Sequence, residues 1–103
     1  MQYDGATYYL LLTTYYLLLT TYYLLLEQYD GALIELRTLV EVAPKEGSVY
    51  FVLGKVYKKL GQPSQAMVNL TRALDLSPKD AQQIKAAILN LEREDNADEQ
   101  EEY

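Results

Sequence analysis

The chain has 103 residues, enough for one small domain, and it contains no histidine, cysteine or tryptophan. It therefore lacks the usual zinc ligands, disulfides and the nucleophile–base pairs of most hydrolases. We expect no enzyme activity, no metal and no cofactor. The formal net charge of −6 argues against nucleic acid as a partner, because phosphate binding needs a surplus of lysine and arginine.

The first 26 residues form a low-complexity segment of tyrosine, leucine and threonine. Residues 7–26 read TYYLLLTTYYLLLTTYYLLL, a seven-residue unit that occurs almost exactly three times and carries no charge. A seven-residue period nearly closes two helical turns, so each residue type keeps its own face of a helix, whereas an odd period disfavours a strand. Such a helix needs apolar partners on most sides. We expect it to make the chain a homo-oligomer.

Two other interpretations of this segment remain open. Twenty uncharged residues match the length of a membrane span, and a membrane-anchored protein is one alternative, although tyrosine and threonine fill the middle of the run. The exact repetition is also typical of a repeat expansion or of engineering. Three origins therefore remain open for residues 1–26: native, expanded or engineered.

The rest of the chain repeats itself at an offset of 34 residues. The cleaner copy reads Tyr50-x-x-Leu53-Gly54-x-x-Tyr57, followed by Ala66, Leu70, Ala73 and Pro78. This resembles the tetratricopeptide repeat (TPR), a pair of antiparallel helices. The predicted repeat-core residues are Tyr16, Leu19, Tyr23, Ala32, Tyr50, Leu53, Gly54, Tyr57, Ala66, Leu70 and Ala73. The first copy departs from the pattern at Thr20, where a small residue is usual, and at Leu39, where alanine is.

The spacing predicts an all-α fold, an antiparallel helix-hairpin TPR solenoid fragment with a C-terminal capping helix. Expected helices are 7–26, 28–43, 48–60, 63–76 and 80–93. The predicted units are the segment 1–26, a degenerate TPR over 13–44, a TPR over 46–79, the capping helix 80–93 and an acidic tail over 94–103. Residues 92–103 hold seven acids and one base, a composition typical of disorder. Two repeats and a cap are fewer than the three usually needed for independent stability, so we expect the end of a longer solenoid or one half of an oligomer.

A closer resemblance covers about residues 27–103. It is carried by APKEGSVYFVLGKVYKKLGQ (43–62), ALDLSPK (73–79) and IKAAI (84–88). These stretches resemble the last repeats of a family of cell-division-cycle TPR scaffold proteins, which form the third subunit of the anaphase-promoting complex. This resemblance implies a nuclear, non-catalytic scaffold of a ubiquitin ligase, whose groove receives C-terminal Ile-Arg tails of partner proteins. Residues 1–26 have no recognised counterpart in that family.

TPR peptides usually lie against the first helix of each repeat. On helix 48–60 we expect that side to present Phe51, Lys55, Lys58 and Lys59, an apolar contact beside three cations that suit a peptide carboxylate. On helix 7–26 the equivalent side offers Thr14, Leu17, Thr21 and Leu24. A solvated face with Phe51 partly packed on the next helix is the alternative. A further hypothesis is that the acidic tail competes for these lysines.

The leading functional hypothesis is a protein–protein interaction scaffold of an anaphase-promoting-complex-like ubiquitin ligase. Its expected partners are other subunits or peptide tails, its expected location is nuclear or cytoplasmic, and a membrane is not expected. The alternative within the same fold is a generic TPR co-chaperone or adaptor. A full carboxylate clamp would favour that alternative, and Phe51, at a position where a groove lysine is expected, argues against it.

Overall fold

The computed structural model describes the backbone of residues 5–100 and the side chains of residues 5–94. Five α-helices and one short 3₁₀ turn make up the fold, and residues 5–100 contain no strand. The helices are α1 (Gly5–Leu25), α2 (Tyr29–Val42), α3 (Gly47–Lys59), α4 (Pro63–Leu76) and α5 (Ala81–Gln100), with the 3₁₀ turn at Pro78–Asp80. These elements confirm the all-α class that the sequence predicts.

The helices pack in chain order, as two hairpins and a fifth helix. Helix α1 lies against α2, and α3 lies against α4, while α2 joins the hairpins by contacting α3 and α5 covers α4. Pro63 occupies the first turn of α4, where its missing N–H group leaves no hydrogen bond unmade. This arrangement is the TPR-like solenoid fragment expected from the 34-residue offset.

The two hairpins turn in the same way at equivalent positions. Gly61 follows α3 with a φ of 73°, and Glu27, 34 residues earlier, has a φ of 56° after α1. In both turns the next residue returns a backbone hydrogen bond to the helix, from Gln28 to Tyr23 at 2.8 Å and from Gln62 to Tyr57 at 2.9 Å. Such bonds satisfy carbonyls that the end of a helix leaves free.

One hydrophobic core runs through α2 to α5, and α1 packs against it. The predicted residues Ala32, Tyr50, Leu53, Tyr57, Ala66, Leu70 and Ala73 lie in it together with Leu36, Leu39, Val49, Val56, Ile84 and Leu91, and Tyr16 and Tyr23 pack against it from α1. Gly54 is buried where α3 meets α4, and a Cβ atom there would lie 2.6 Å from Leu70 Cδ2. Close approach of the two helices therefore depends on the absence of a side chain at this position.

Helix α1 departs from the predicted core pattern at Leu19. Leu19 is half-buried and outside the core cluster, whereas its repeat equivalent Leu53 is buried. The neighbouring Thr20 is the buried residue, and its hydroxyl donates a 2.8 Å hydrogen bond to the Tyr16 carbonyl. The reason is position in the solenoid: α3 packs between α2 and α4, while α1 has α2 as its main neighbour.

The end of α5 and the apolar character of α1 bear on two further expectations. Helix α5 continues to Gln100, seven residues beyond the predicted end at 93, so its last turns overlap the tail that the composition marks as disordered. Residues 101–103 of that tail, and residues 1–4 of the N-terminal segment, lie outside the described residues. Within the described part of the chain, none of the helices, α1 included, is long and apolar enough to cross a membrane.

Candidate peptide-binding groove

Four predicted groove residues form one stripe along α3. Phe51, Lys55, Lys58 and Lys59 are spaced by three, four, seven or eight positions or follow one another, so they share one side of the helix. The buried residues Tyr50, Leu53 and Tyr57 belong to the other side. The fold therefore presents the stripe away from the hairpin core, on the first helix of the second repeat.

Phe51 and Lys55 act as a pair within this stripe. The Lys55 Nζ atom lies 4.8 Å from the centre of the Phe51 ring, within the range of a cation–π interaction. The ring is half-buried and borders a small cavity of about 120 Å³ at the turn between α4 and α5. The other residues that line this cavity are Gly47, Ser48, Ser77, Asp80, Gln83 and Ile84. The pair offers an apolar ring and a cation, and the Asp80 carboxylate borders the same cavity as the ring.

The other two lysines of the stripe differ from each other in their surroundings. The Lys58 Nζ atom lies 3.0 Å from Glu94 Oε1 of α5, whereas Lys59 is exposed. Glu94 is the first residue of the predicted acidic tail, and the sequence does not show which lysine it contacts. This ion pair is the contact that tail competition requires, and whether it lowers peptide affinity stays a prediction.

The equivalent side of α1 has no charge at all. Thr14, Leu17 and Thr21 are exposed there, and the Thr21 hydroxyl donates a 2.9 Å hydrogen bond to the Leu17 carbonyl. Leu24 is half-buried and packs against the core. The groove side of the chain therefore changes from apolar and uncharged on α1 to cationic on α3.

A second groove, which sequence reasoning missed, lies between α2 and α4. It has a volume of about 470 Å³ and is lined by Arg37, Val40, Glu41, Tyr50, Leu53, Tyr57, Gln65, Val68 and Asn69. Its floor is held by polar contacts of the core tyrosines: Arg37 Nη2 donates to Tyr57 Oη at 3.2 Å, and Tyr50 Oη donates to the Pro44 carbonyl at 2.8 Å. The Arg72 guanidinium also lies 5.6 Å from the centre of the Tyr50 ring. One sequence signal was available: Val68, which lines this groove, and Ile34 are apolar at the same repeat position.

The first turns of α1 reach the loop between α2 and α3. There the Tyr9 hydroxyl lies beside the Glu46 carboxylate, and local desolvation, reinforced by that negative charge, raises the pKa of Tyr9 above its usual value.

Comparison with known proteins agrees with this architecture. The tetratricopeptide repeat family model matches residues 47–80, which are α3, α4 and the 3₁₀ turn. "Anaphase-promoting complex subunit 3" of Dictyostelium discoideum is 41% identical over 75 residues, which is 73% of this chain and 8% of that protein. The subunit of the same name from Schizosaccharomyces pombe is 39% identical over 64 residues, 62% of this chain and 10% of its own.

A shorter match of higher identity is found in Homo sapiens. "Cell division cycle protein 27 homolog" is 61% identical over 41 residues, which is 39% of this chain and 5% of the human protein. The chain thus spans a tenth or less of the length of these curated relatives. The helix hairpins, the family match and these relatives lead to one conclusion: the chain contains a tetratricopeptide repeat at residues 47–80, and its repeats resemble those of anaphase-promoting complex subunit 3.

Proposed function

We propose that this chain is a non-catalytic scaffold module of an anaphase-promoting-complex-like ubiquitin ligase, nuclear or cytoplasmic, that binds C-terminal peptide tails of partner proteins. The similarity to subunit 3 proteins supports the choice of complex. The observation that carries peptide binding is the Phe51–Lys55 pair on the open side of α3.

The chemistry around Phe51 suits a tail that ends in isoleucine and arginine. The Phe51 ring supplies an apolar contact for isoleucine, and Lys55 supplies a cation for the terminal carboxylate. Asp80, which borders the same small cavity, supplies a carboxylate for the arginine guanidinium. A cation and a carboxylate therefore lie near one half-buried ring.

Fluorescence anisotropy with a labelled Ile-Arg-ending peptide tests this proposal. We expect binding by the wild type and a roughly tenfold or greater loss in Lys55→Glu, because a hydrogen-bonded charge contact becomes a repulsion. The matched control is Lys45→Glu, the same charge change at an exposed loop residue, which should leave affinity unchanged. The same peptide with an amidated C-terminus should bind weakly.

Three results would count against the proposal. An equal loss of affinity in Lys55→Glu and Lys45→Glu would show that net charge governs binding, and an unchanged affinity in Lys55→Glu would show that Lys55 does not contact the peptide. Tighter binding of an acidic C-terminal peptide than of the Ile-Arg peptide would favour the alternative function, a co-chaperone or adaptor module.

A second part of the proposal is self-association through α1. Ten tyrosine and leucine residues of residues 7–26 are exposed, among them Leu10, Leu18 and Leu25. Contiguous apolar surface of this extent usually marks an interaction site. Light scattering of the purified chain should therefore give at least the mass of a dimer, and a monomer at all concentrations would contradict this part alone.

A further inference from the structure

The exposed side of α1 carries a regular seam of alternating tyrosine and leucine. The seam consists of Tyr8, Leu11, Tyr15, Leu18, Tyr22 and Leu25, which are 55% to 80% exposed. Successive members are three and four residues apart in strict alternation. This is the spacing of the a and d positions in a coiled coil, with tyrosine at every a position and leucine at every d position.

We infer that this seam packs against the same seam of a second copy, so that two α1 helices form a two-stranded coiled coil. The inference rests on the self-association proposed above and names the surface that mediates it. A strict seven-residue apolar repeat imposes the left-handed supercoil of such a pair.

The geometry of α1 leaves this seam free for a partner. With about 100° of rotation per residue, the six residues fall within a sector about 100° wide. The buried Thr20 lies about 170° from the middle of that sector by the same rotation. The seam therefore points away from α2, and a second helix reaches it without disturbing the hairpin.

Two of the three seam tyrosines, Tyr15 and Tyr22, are held in place by the next residue in the sequence. The Tyr15 ring meets the Tyr16 ring edge-on at 5.3 Å, and Tyr22 meets Tyr23 in the same way at 5.7 Å. Tyr16 and Tyr23 themselves pack against the core. The outer rings are thereby ordered before association, which lowers the entropic cost of binding.

Extent and charge favour a second copy as the occupant. If a fully exposed tyrosine or leucine has about 200 Å² of surface, the six residues expose roughly 750 Å², close to the ~800 Å² per partner of a standard interface. Residues 7–26 carry no charge, so the surface offers nothing to select an ionic partner. An identical uncharged helix matches it in both spacing and polarity.

The test compares two double variants of α1 by sedimentation velocity across a concentration series. Leu11→Glu/Leu18→Glu changes the seam, and Leu10→Glu/Leu17→Glu makes the same chemical change one residue earlier, outside the seam. Leu10 and Leu17 are also exposed, so both variants replace surface leucines. We expect the seam variant to raise the dimer dissociation constant about 100-fold or more and the control to change it less than about fivefold.

Alanine variants keep the test decisive if glutamate disturbs folding. Leu11→Ala/Leu18→Ala and Leu10→Ala/Leu17→Ala retain high helix propensity, and circular dichroism reports whether α1 stays helical. The seam pair should again weaken association more than its control by about tenfold.

Each other result overturns the inference in a distinguishable way. If the wild type is a dimer and both variant pairs weaken it equally, self-association stands but the seam does not mediate it. If the wild type is a monomer up to about 100 µM, both the seam and the proposed self-association fall, and a different protein or another segment is the occupant. Peptide binding in the groove is measured separately and is unaffected by either result.

Discussion

Lys58 of α3 and Glu94 of α5 form an ion pair, with 3.0 Å between Nζ and Oε1. The pair joins the first helix of the second repeat to α5, the helix that follows that repeat. Both side chains are more than a third exposed, so the pair contributes little to stability. Its position matters more, because it occupies one cation of the candidate groove.

Removal of this acid should favour peptide binding without changing the fold. We expect Glu94→Gln to raise the affinity for the Ile-Arg peptide up to about fivefold at low salt, because Lys58 is released for the peptide. Anisotropy in parallel with Glu92→Gln, an exposed residue of the same charge on α5, provides the control. An identical affinity in both variants would show that tail competition does not operate through Glu94.

Gly54 should resist substitution although alanine normally favours a helix. A Cβ atom there would lie 2.6 Å from Leu70 Cδ2 and 3.3 Å from the Ala66 carbonyl oxygen. Because Leu70 is itself buried, we expect Gly54→Ala to lower the free energy of unfolding by about 1–3 kcal/mol. Urea denaturation measures it, and Gly5→Ala, where no atom lies within 4 Å of the added carbon, should lose nothing. A neutral Gly54→Ala would mean that the helices separate without cost.

Replacement of Glu27 by glycine should stabilise the protein. Glu27 has a φ of 56°, a left-handed conformation that is unfavourable for residues with a Cβ atom. We expect Glu27→Gly to raise the free energy of unfolding by about 0.5–1 kcal/mol. The reverse change in the equivalent turn, Gly61→Ala, should lower the free energy of unfolding by about 1 kcal/mol. This cost comes from the left-handed backbone alone, because open space surrounds Gly61. Thermal unfolding of both variants decides, and shifts of the same sign would contradict the explanation.

The Tyr50 hydroxyl should contribute to the joint between the two repeats. It donates a 2.8 Å hydrogen bond to the Pro44 carbonyl in the loop that connects α2 and α3. We expect Tyr50→Phe to lower the free energy of unfolding by about 0.5–1.5 kcal/mol. Tyr29→Phe is the control, because Tyr29 is half-buried on α2 and its hydroxyl bonds to no described residue. An equal free energy of unfolding in the two variants would show that Tyr50 stabilises the protein through its ring and not through its hydroxyl.

The 34-residue offset was informative about the second repeat because its residues are specialised. Gly54, Tyr57 and Ala66 each have a size that suits one position, so their spacing predicts where α3 and α4 approach. In α1 the same reasoning was less effective, because leucine and tyrosine occur on every side and no polar face shows which side meets α2. Burial there falls on Thr20, whose modest volume fits close to α2 and whose hydroxyl bonds within its own helix.

The candidate groove was predicted only as far as helical spacing reaches. Periodicity along α3 places Phe51 and Lys55 on one side, and their contact follows from a separation of four residues. The pairing of Lys58 with Glu94 depends on how α5 packs against α4, which a single helix pattern does not contain. The groove between α2 and α4 also depends on how helices pack against one another, since α3 forms its floor and α2 and α4 form its walls.

Extensive packing in this chain joins each helix to the next one along the sequence. Contacts between residues far apart in the sequence are therefore few, and little chain entropy is lost before they form, which favours rapid folding. The same connectivity confines damage: loss of the α1 interface exposes α2 but leaves the contact of α3 with α4 in place. Local opening should thus begin at α1 and α5, and amide hydrogens at the centre of the α3–α4 hairpin should exchange last.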